Sequence, residues 1–156
     1  MRRNKLNLNN KLNSMKFIRS HFIVGNLTII MHYVLNKNMP LQVRVKDTNF
    51  SLYLPLYKLA EIGLLLNYNW KIISVSDTYL KVIGPVEEHI TCRLNTGADF
   101  THIHEIFIDK VYGSNFHGKN VIDIGMSNGD SSIFFAKNGA KRVISVEPDK
   151  RSFALR

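Results

Sequence analysis

The sequence has a single cysteine, Cys92, so neither an intrachain disulfide framework nor a multi-cysteine zinc site can form. A lone thiol fits a reducing compartment, and the cytoplasm is the expected location. Acidic residues are missing from the first 46 positions, which hold nine Lys and Arg. Residues 47–156 hold twelve of each sign and are neutral, so the net charge of +9 belongs to the amino-terminal segment. No apolar run reaches the ~20 residues of a spanning helix. Residues 22–35 are apolar at ten of fourteen positions but are interrupted by Gly25, Asn26, Thr28 and His32. A basic start before a short apolar run also describes a secretory signal, yet the small-residue cleavage pattern is missing. Three readings stay open for this stretch: a helix buried against the protein, an interfacial or partner-binding helix, and a signal or anchor. A membrane contact by residues 15–35 belongs to the second.

The composition that remains is globular, with 45% apolar and 21% charged residues. Residues 1–14 are polar, basic and rich in asparagine, and are expected to be a disordered tail. Residues 15–39 read as an amino-terminal helix, weakened at Gly25-Asn26 and ended by Pro40. Residues 40–99 read as a small α/β subdomain. In it, Leu41, Val43 and Val45 alternate with Gln42, Arg44 and Lys46, which predicts a strand with one wet face. A turn at Asp47-Thr48-Asn49 leads to a second strand at 50–54. Helical spacing begins after Pro55 and runs to about Leu66. Strands at 70–75 and 79–83 flank Ser76-Asp77-Thr78, and Gly84-Pro85 breaks the hairpin. Residues 100–112 are expected to be helical, with Ile103, Ile106, Phe107 and Val111 on one stripe.

The pattern changes at Asn120. Val121-Ile122-Asp123-Ile124-Gly125 is a short apolar run ending in glycine, as in a strand buried on both faces of a parallel sheet. Asp130-Ser131 offers a helix cap, and Asn138-Gly139 a helix stop. Residues 142–146 form a second apolar strand, closed by Glu147-Pro148. Residues 100–156 therefore hold a helix, then one β-α-β unit from Asn120, and the start of a further helix. Glycines at a strand-to-helix turn let a ligand approach the backbone, beyond the carboxyl end of the strand. An acid ending the second strand is placed to accept hydrogen bonds from ribose hydroxyls, and Glu147 fills that position. The dinucleotide fingerprint G-x-G-x-x-G would put Ser127 and Asp130 where its second and third glycines belong. Two missing glycines and an added carboxylate disfavour NAD or FAD. The pattern D-x-G-x-x-x-G, Asp123 to Gly129, suits a ligand without phosphates, and S-adenosylmethionine is one.

The string from Gly118 to Pro148, GKNVIDIGMSNGDSSIFFAKNGAKRVISVEP, resembles the FkbM-type S-adenosylmethionine-dependent methyltransferases. That family shows G-K-x-V-[IV]-D-[IV]-G-A-N-x-G-D-[ST]-S, then F-A, G-A and V-x-x-[VIL]-E-P. Glu105 to Gly113 also resembles the helix before that segment. Met126 and Ser127 depart from the usual Ala and Asn. The resemblance implies a Rossmann-like methyltransferase fold, interrupted after its first β-α-β unit and preceded by a helix and the small β-rich subdomain. It implies a cofactor site of Asp123, Gly125, Ser127, Gly129, Asp130 and Glu147, with Asp130 a helix cap before it is a ligand contact. Methyl transfer to a hydroxyl of a small molecule or glycan is the implied activity. The family's acceptor site and catalytic residues belong to strands beyond Arg156, so this chain is expected to be an amino-terminal portion, inactive alone. Its partners are then the missing carboxyl-terminal part or, through an uncovered sheet edge, another copy.

Other chemistry-bearing residues read more plainly. His102, His104 and Glu105 do not share a helix face as a metal set would, so they are expected to be solvated. Cys92 reads as a small packing residue. Tyr112 and Phe116 read as packing rather than as a shelter for adenine. The basic tail lacks interleaved aromatics, which disfavours nucleic acid. The rival to the enzyme is a non-catalytic truncated product or module that acts through its basic, apolar amino terminus on a membrane, nucleic acid or protein.

Overall fold

A computed structural model describes residues 13, 15–25, 28–31, 39–94 and 98–153. The expected tail at 1–14 lies outside the described residues apart from Asn13. The chain is a small α/β protein with two three-stranded sheets and one two-stranded sheet. Contacts divide it into two compact units, 1–69 and 70–156. The division falls within the 40–99 stretch that the sequence reads as one subdomain.

In the first unit, β1 (Phe22–Ile23), β2 (Pro40–Val45) and β3 (Ser51–Pro55) form an antiparallel sheet in that order. The alternation of β2 is realised directly: Leu41, Val43 and Val45 are buried while Gln42 and Arg44 are exposed. Thr48 closes the β2–β3 turn. Its hydroxyl donates to the Val45 carbonyl at 3.0 Å and accepts the Phe50 N–H at 3.1 Å. Pro55 ends β3 and stands as the N-cap of α1 (Leu56–Asn67). Proline suits that junction because it fixes φ and has no N–H to satisfy. Gly63 of α1 faces residue 17 so closely that a Cβ would lie 3.0 Å from the Phe17 carbonyl oxygen.

The expected helix over 15–39 is corrected. Residues 15–21 are helical, but Phe22 and Ile23 leave the helix and pair with Val45 and Arg44. Residues 28–31 are helical again, and 26–27 and 32–38 lie outside the described residues. The open edge of β2 supplies backbone partners, and Phe22 is buried there. Tertiary burial outweighs local helix preference in so short a segment. Among the described residues, no helix is long and apolar enough to cross a membrane.

The second unit begins with an antiparallel meander: β4 (Lys71–Val75), β5 (Tyr79–Ile83) and β6 (His89–Arg93). The predicted hairpin is present. A third strand, not expected from the sequence, follows the break at Gly84-Pro85, with Ile90 and Cys92 buried and His89 exposed. Next, α2 (Asp99–Ile103) runs into one widened π turn at His104–Ile108. That insertion breaks the predicted stripe, and Val111 is exposed. The β-α-β unit follows: β7 (Asn120–Ile124), α3 (Asp130–Lys137) and β8 (Arg142–Val146), with β7 and β8 parallel and Asp123 opposite Ser145. A short helix, α4 (Lys150–Phe153), comes last.

An aromatic cluster holds α3 to this sheet. Phe134 and Phe135 are buried with Ile106, and Phe107, Phe116, Val121 and Val143 pack against them. Phe116 meets Phe135 edge-on at 4.8 Å, and Phe107 meets Phe134 at 5.4 Å. The opposite face of β7 and β8 is bare: Ile122, Ile124, Ile144 and Val146 are exposed, Ile124 at 80%. This corrects the expectation of strands buried on both faces. Among the described residues, α3 covers one face and nothing covers the other. Phe134→Ala is therefore expected to cost about 3–5 kcal/mol, the range for emptying a buried aromatic site. Ile124→Lys is expected to change stability by no more than about 0.5 kcal/mol. Denaturant unfolding of both variants checks the contrast; equal losses would place Ile124 in a core.

Candidate functional site

The loop between β7 and α3 is built on three left-handed residues: Gly125 (φ 79°), Ser127 (φ 51°) and Gly129 (φ 88°). Such backbone favours glycine, so Ser127 is the strained member. Gly125 N–H donates to the Val146 carbonyl at 2.8 Å, extending the parallel ladder by one bond. A Cβ at Gly125 or Gly129 would meet nothing within 4 Å. These glycines are thus required by φ, and they leave open space over the turn.

Each carboxylate expected in the site has a definite role. Asp123 Oδ2 accepts hydrogen bonds from Ser131 Oγ at 2.7 Å and Ser132 Oγ at 2.5 Å, tying the end of β7 to the first turn of α3. Ser132 Oγ also meets Ser145 Oγ at 2.6 Å, so β8 joins the same chain of hydroxyls. Glu147 follows β8 immediately, and both its oxygens are engaged. Oε2 accepts the Ser127 N–H at 2.8 Å and Oε1 the Asp149 N–H at 2.7 Å. A carboxylate offers about four acceptor positions, so two remain.

Asp130 departs from the expected cap. Gly129 is the N-cap of α3, no side chain caps the helix, and Asp130 is its first residue. The φ of 88° at Gly129 turns the chain into the helix one residue earlier than an Asp cap would need. Asp130 Oδ1 accepts the Ser131 N–H at 2.7 Å, while Oδ2 is buried without a partner. Burial pushes the Asp130 carboxyl up to about 6, opposed by the Ser131 bond and His102 and aided by Asp99 and Asp123. Asn128 is buried as well. Its Nδ2 donates to the Thr91 carbonyl at 3.2 Å, and its Oδ1 has no partner.

Sequence reasoning missed the residues that brace this loop. Arg93, at the end of β6, holds the buried Asp99 with a two-pronged pair: Nη2 to Oδ1 at 2.5 Å and Nε to Oδ2 at 3.0 Å. The Arg93 backbone N–H also donates to Asp99 Oδ2 at 2.7 Å. The same guanidinium donates to Ser127 Oγ at 3.0 Å and Ser152 Oγ at 3.2 Å. Asp99 raises the Arg93 pKa above its ordinary value, so the guanidinium stays charged. A six-residue spacing between a strand end and a helix start carries no recognisable sequence signal. A pocket of about 220 Å³ opens beside the loop, lined by His89, Thr91, Met126, Asn128, Ser132 and Ser145 among others.

The remaining candidates do not join the site. Among the described residues no group of three His, Cys, Asp or Glu could hold a metal. His104 instead meets Asp109, Nδ1 to Oδ2 at 3.2 Å. Cys92 is buried in the meander. Tyr112 and Phe116 pack on Phe135.

No family model, curated protein or solved structure matches the chain at a significant level.

A raised acid destabilises the fold once it ionises. Between the ordinary value of 3.8 and about 6, folded Asp130 keeps a proton that the unfolded chain has lost. Its contribution to stability thus falls as pH rises through that window and stays low above it. Asp130→Asn is expected to gain on the wild type across that window, by on the order of 1–3 kcal/mol at its upper end. Unfolding of both proteins as a function of pH checks this. A constant difference would mean that Asp130 ionises normally.

Proposed function

We propose that residues 123–129 and Glu147 form the cofactor half of an S-adenosylmethionine-dependent methyltransferase site, on a Rossmann-like β-α-β unit of the FkbM type. One observation carries this reading. The turn after β7 is surrounded by acceptors: the carboxylates of Asp123, Asp130 and Glu147, with two buried acceptor atoms, Asn128 Oδ1 and Asp130 Oδ2, left without donors. A pyrophosphate would be repelled there. A ligand rich in donors and positive charge is favoured, as a ribose, an amino group and a sulfonium together provide.

The bound cofactor supplies an activated methyl group. The protein's part is binding and orientation. Glu147 has two free acceptor positions for ribose hydroxyls, at the carboxyl end of β8 where nucleosides bind in such sheets. Its bond to the Ser127 N–H keeps that carboxylate in register with the glycine turn. Open space above Gly125 and Gly129 lets the ligand approach the backbone. Orientation of this kind supplies much of the rate when the leaving group is already good. The acceptor we propose is a hydroxyl of a small molecule or glycan.

Calorimetry with S-adenosylmethionine tests the reading. Glu147→Ala is expected to weaken binding by about 1–3 kcal/mol, the cost of lost hydrogen bonds at a part-buried polar site. NAD bound as tightly as S-adenosylmethionine would reject the methyltransferase reading. Binding of neither would favour the non-catalytic module.

A further inference from the structure

We infer that Arg93 and Asp99 are positioning residues for the ligand loop, acting through Ser127 from outside the β-α-β unit. The inference rests on the reading of residues 123–129 as a ligand loop. Ser127 is the one non-glycine among the loop's left-handed residues, and two contacts hold it there. From one side its N–H donates to Glu147 Oε2 at 2.8 Å. From the other, Arg93 Nη2 donates to its hydroxyl at 3.0 Å. Arg93 is itself locked by the buried Asp99, which accepts from both prongs of the guanidinium and from the Arg93 N–H. Such a planar fork fixes direction as well as charge, which a lysine does not.

The same guanidinium reaches past the second strand. Its Nη1 donates to Ser152 Oγ at 3.2 Å, and Ser152 Oγ donates to Asp149 Oδ2 at 3.1 Å. Asp149 in turn gives its N–H to Glu147 Oε1. Arg93 therefore joins both ends of the ligand edge, the turn after β7 and the segment after β8. Its two arms meet again at the two oxygens of Glu147. Losing Arg93 frees Ser127 to leave its strained conformation, and Glu147 then loses the contact that aims Oε2.

The test uses Arg93→Gln, Arg93→Lys, Ser127→Ala and the double variant Arg93→Gln/Ser127→Ala. Hydrogen exchange is read at the amides of 127–129, with the β4–β5 hairpin as the internal standard for global stability. Affinity for S-adenosylmethionine is read by calorimetry. Ser127→Ala leaves the Arg93–Asp99 pair intact, so it reports the link even where an Arg93 variant fails to fold. It should speed exchange at 127–129 but not in the hairpin, and weaken binding about 3- to 10-fold, the range for one lost hydrogen bond. Arg93→Gln also strands the buried Asp99, so it should speed exchange in the hairpin, and at 127–129 by more than in the hairpin; Arg93→Lys should not rescue the loop, and the double variant should be no worse than Arg93→Gln alone. Unchanged loop exchange in Ser127→Ala, or additive effects in the double variant, would overturn the inference. The exchange readout needs no ligand. Faster loop exchange in a protein that does not bind S-adenosylmethionine would therefore support the positioning role while rejecting the cofactor reading.

Discussion

Everything at the turn after β7 depends on α3 being held to β7 and β8 by Phe134 and Phe135. A two-stranded parallel ladder has little stability of its own, because parallel strands need a crossover and a covered face. The Phe134–Phe135 cluster supplies that cover on one side. It also fixes where α3 begins, and so where the chain must turn after Ile124. Five residues, Gly125 to Gly129, connect the strand end to the helix start. That short path requires left-handed backbone at three of them. The loop's shape thus follows from helix-to-sheet packing rather than from loop residues alone.

The polar groups then complete what packing begins. Asp123 reaches across to Ser131 and Ser132, so the same carboxylate fixes strand end and helix start. Glu147 does the equivalent from β8, through the Ser127 N–H. Arg93 is the cation among Asp99, Asp130 and Asp149, all of which raise its pKa. Removing it would leave Asp99, whose side chain is fully buried, without its counter-charge; breaking such a pair costs roughly 3–5 kcal/mol. Buried pairs of this kind are poor sources of net stability but strong sources of geometry, since only one arrangement satisfies every donor.

The legible parts of the fold were those in which local pattern and tertiary burial agree. The period-two alternation of Leu41, Val43 and Val45 gave β2, and Asn138-Gly139 gave the end of α3, where Gly139 has φ 90°. The illegible parts were set by partners distant in sequence. Phe22 and Ile23 look helical until the edge of β2 claims them. Asp130 looks like a cap until Gly129, at positive φ, takes that position. Asp123, Gly125, Gly129 and Glu147 were readable because one β-α-β unit brings them together at fixed spacing. Arg93 and Asp99 were not, since what gives the pair meaning is the bond from Arg93 to Ser127, 34 positions away.

The balance of charge at the turn gives the ligand question a physical form. Glycine-rich turns at helix starts usually serve anions, because free N–H groups and the helix dipole favour negative charge. Here three N–H groups of the turn are engaged by the protein itself. The Ser127 N–H goes to Glu147, the Ser131 N–H to Asp130, and the Gly129 N–H to the Met126 carbonyl. Asp130 within the first turn adds a carboxylate whose ionisation is already resisted by burial and by Asp99 and Asp123. An incoming phosphate would have to displace these bonds and face three carboxylates. A cationic ligand would meet no such repulsion. A positive charge nearby would favour the charged form of Asp130. The turn combines left-handed glycines at Gly125 and Gly129 with three surrounding carboxylates, and on the proposed reading that charge favours a ligand of the opposite sign from a phosphate.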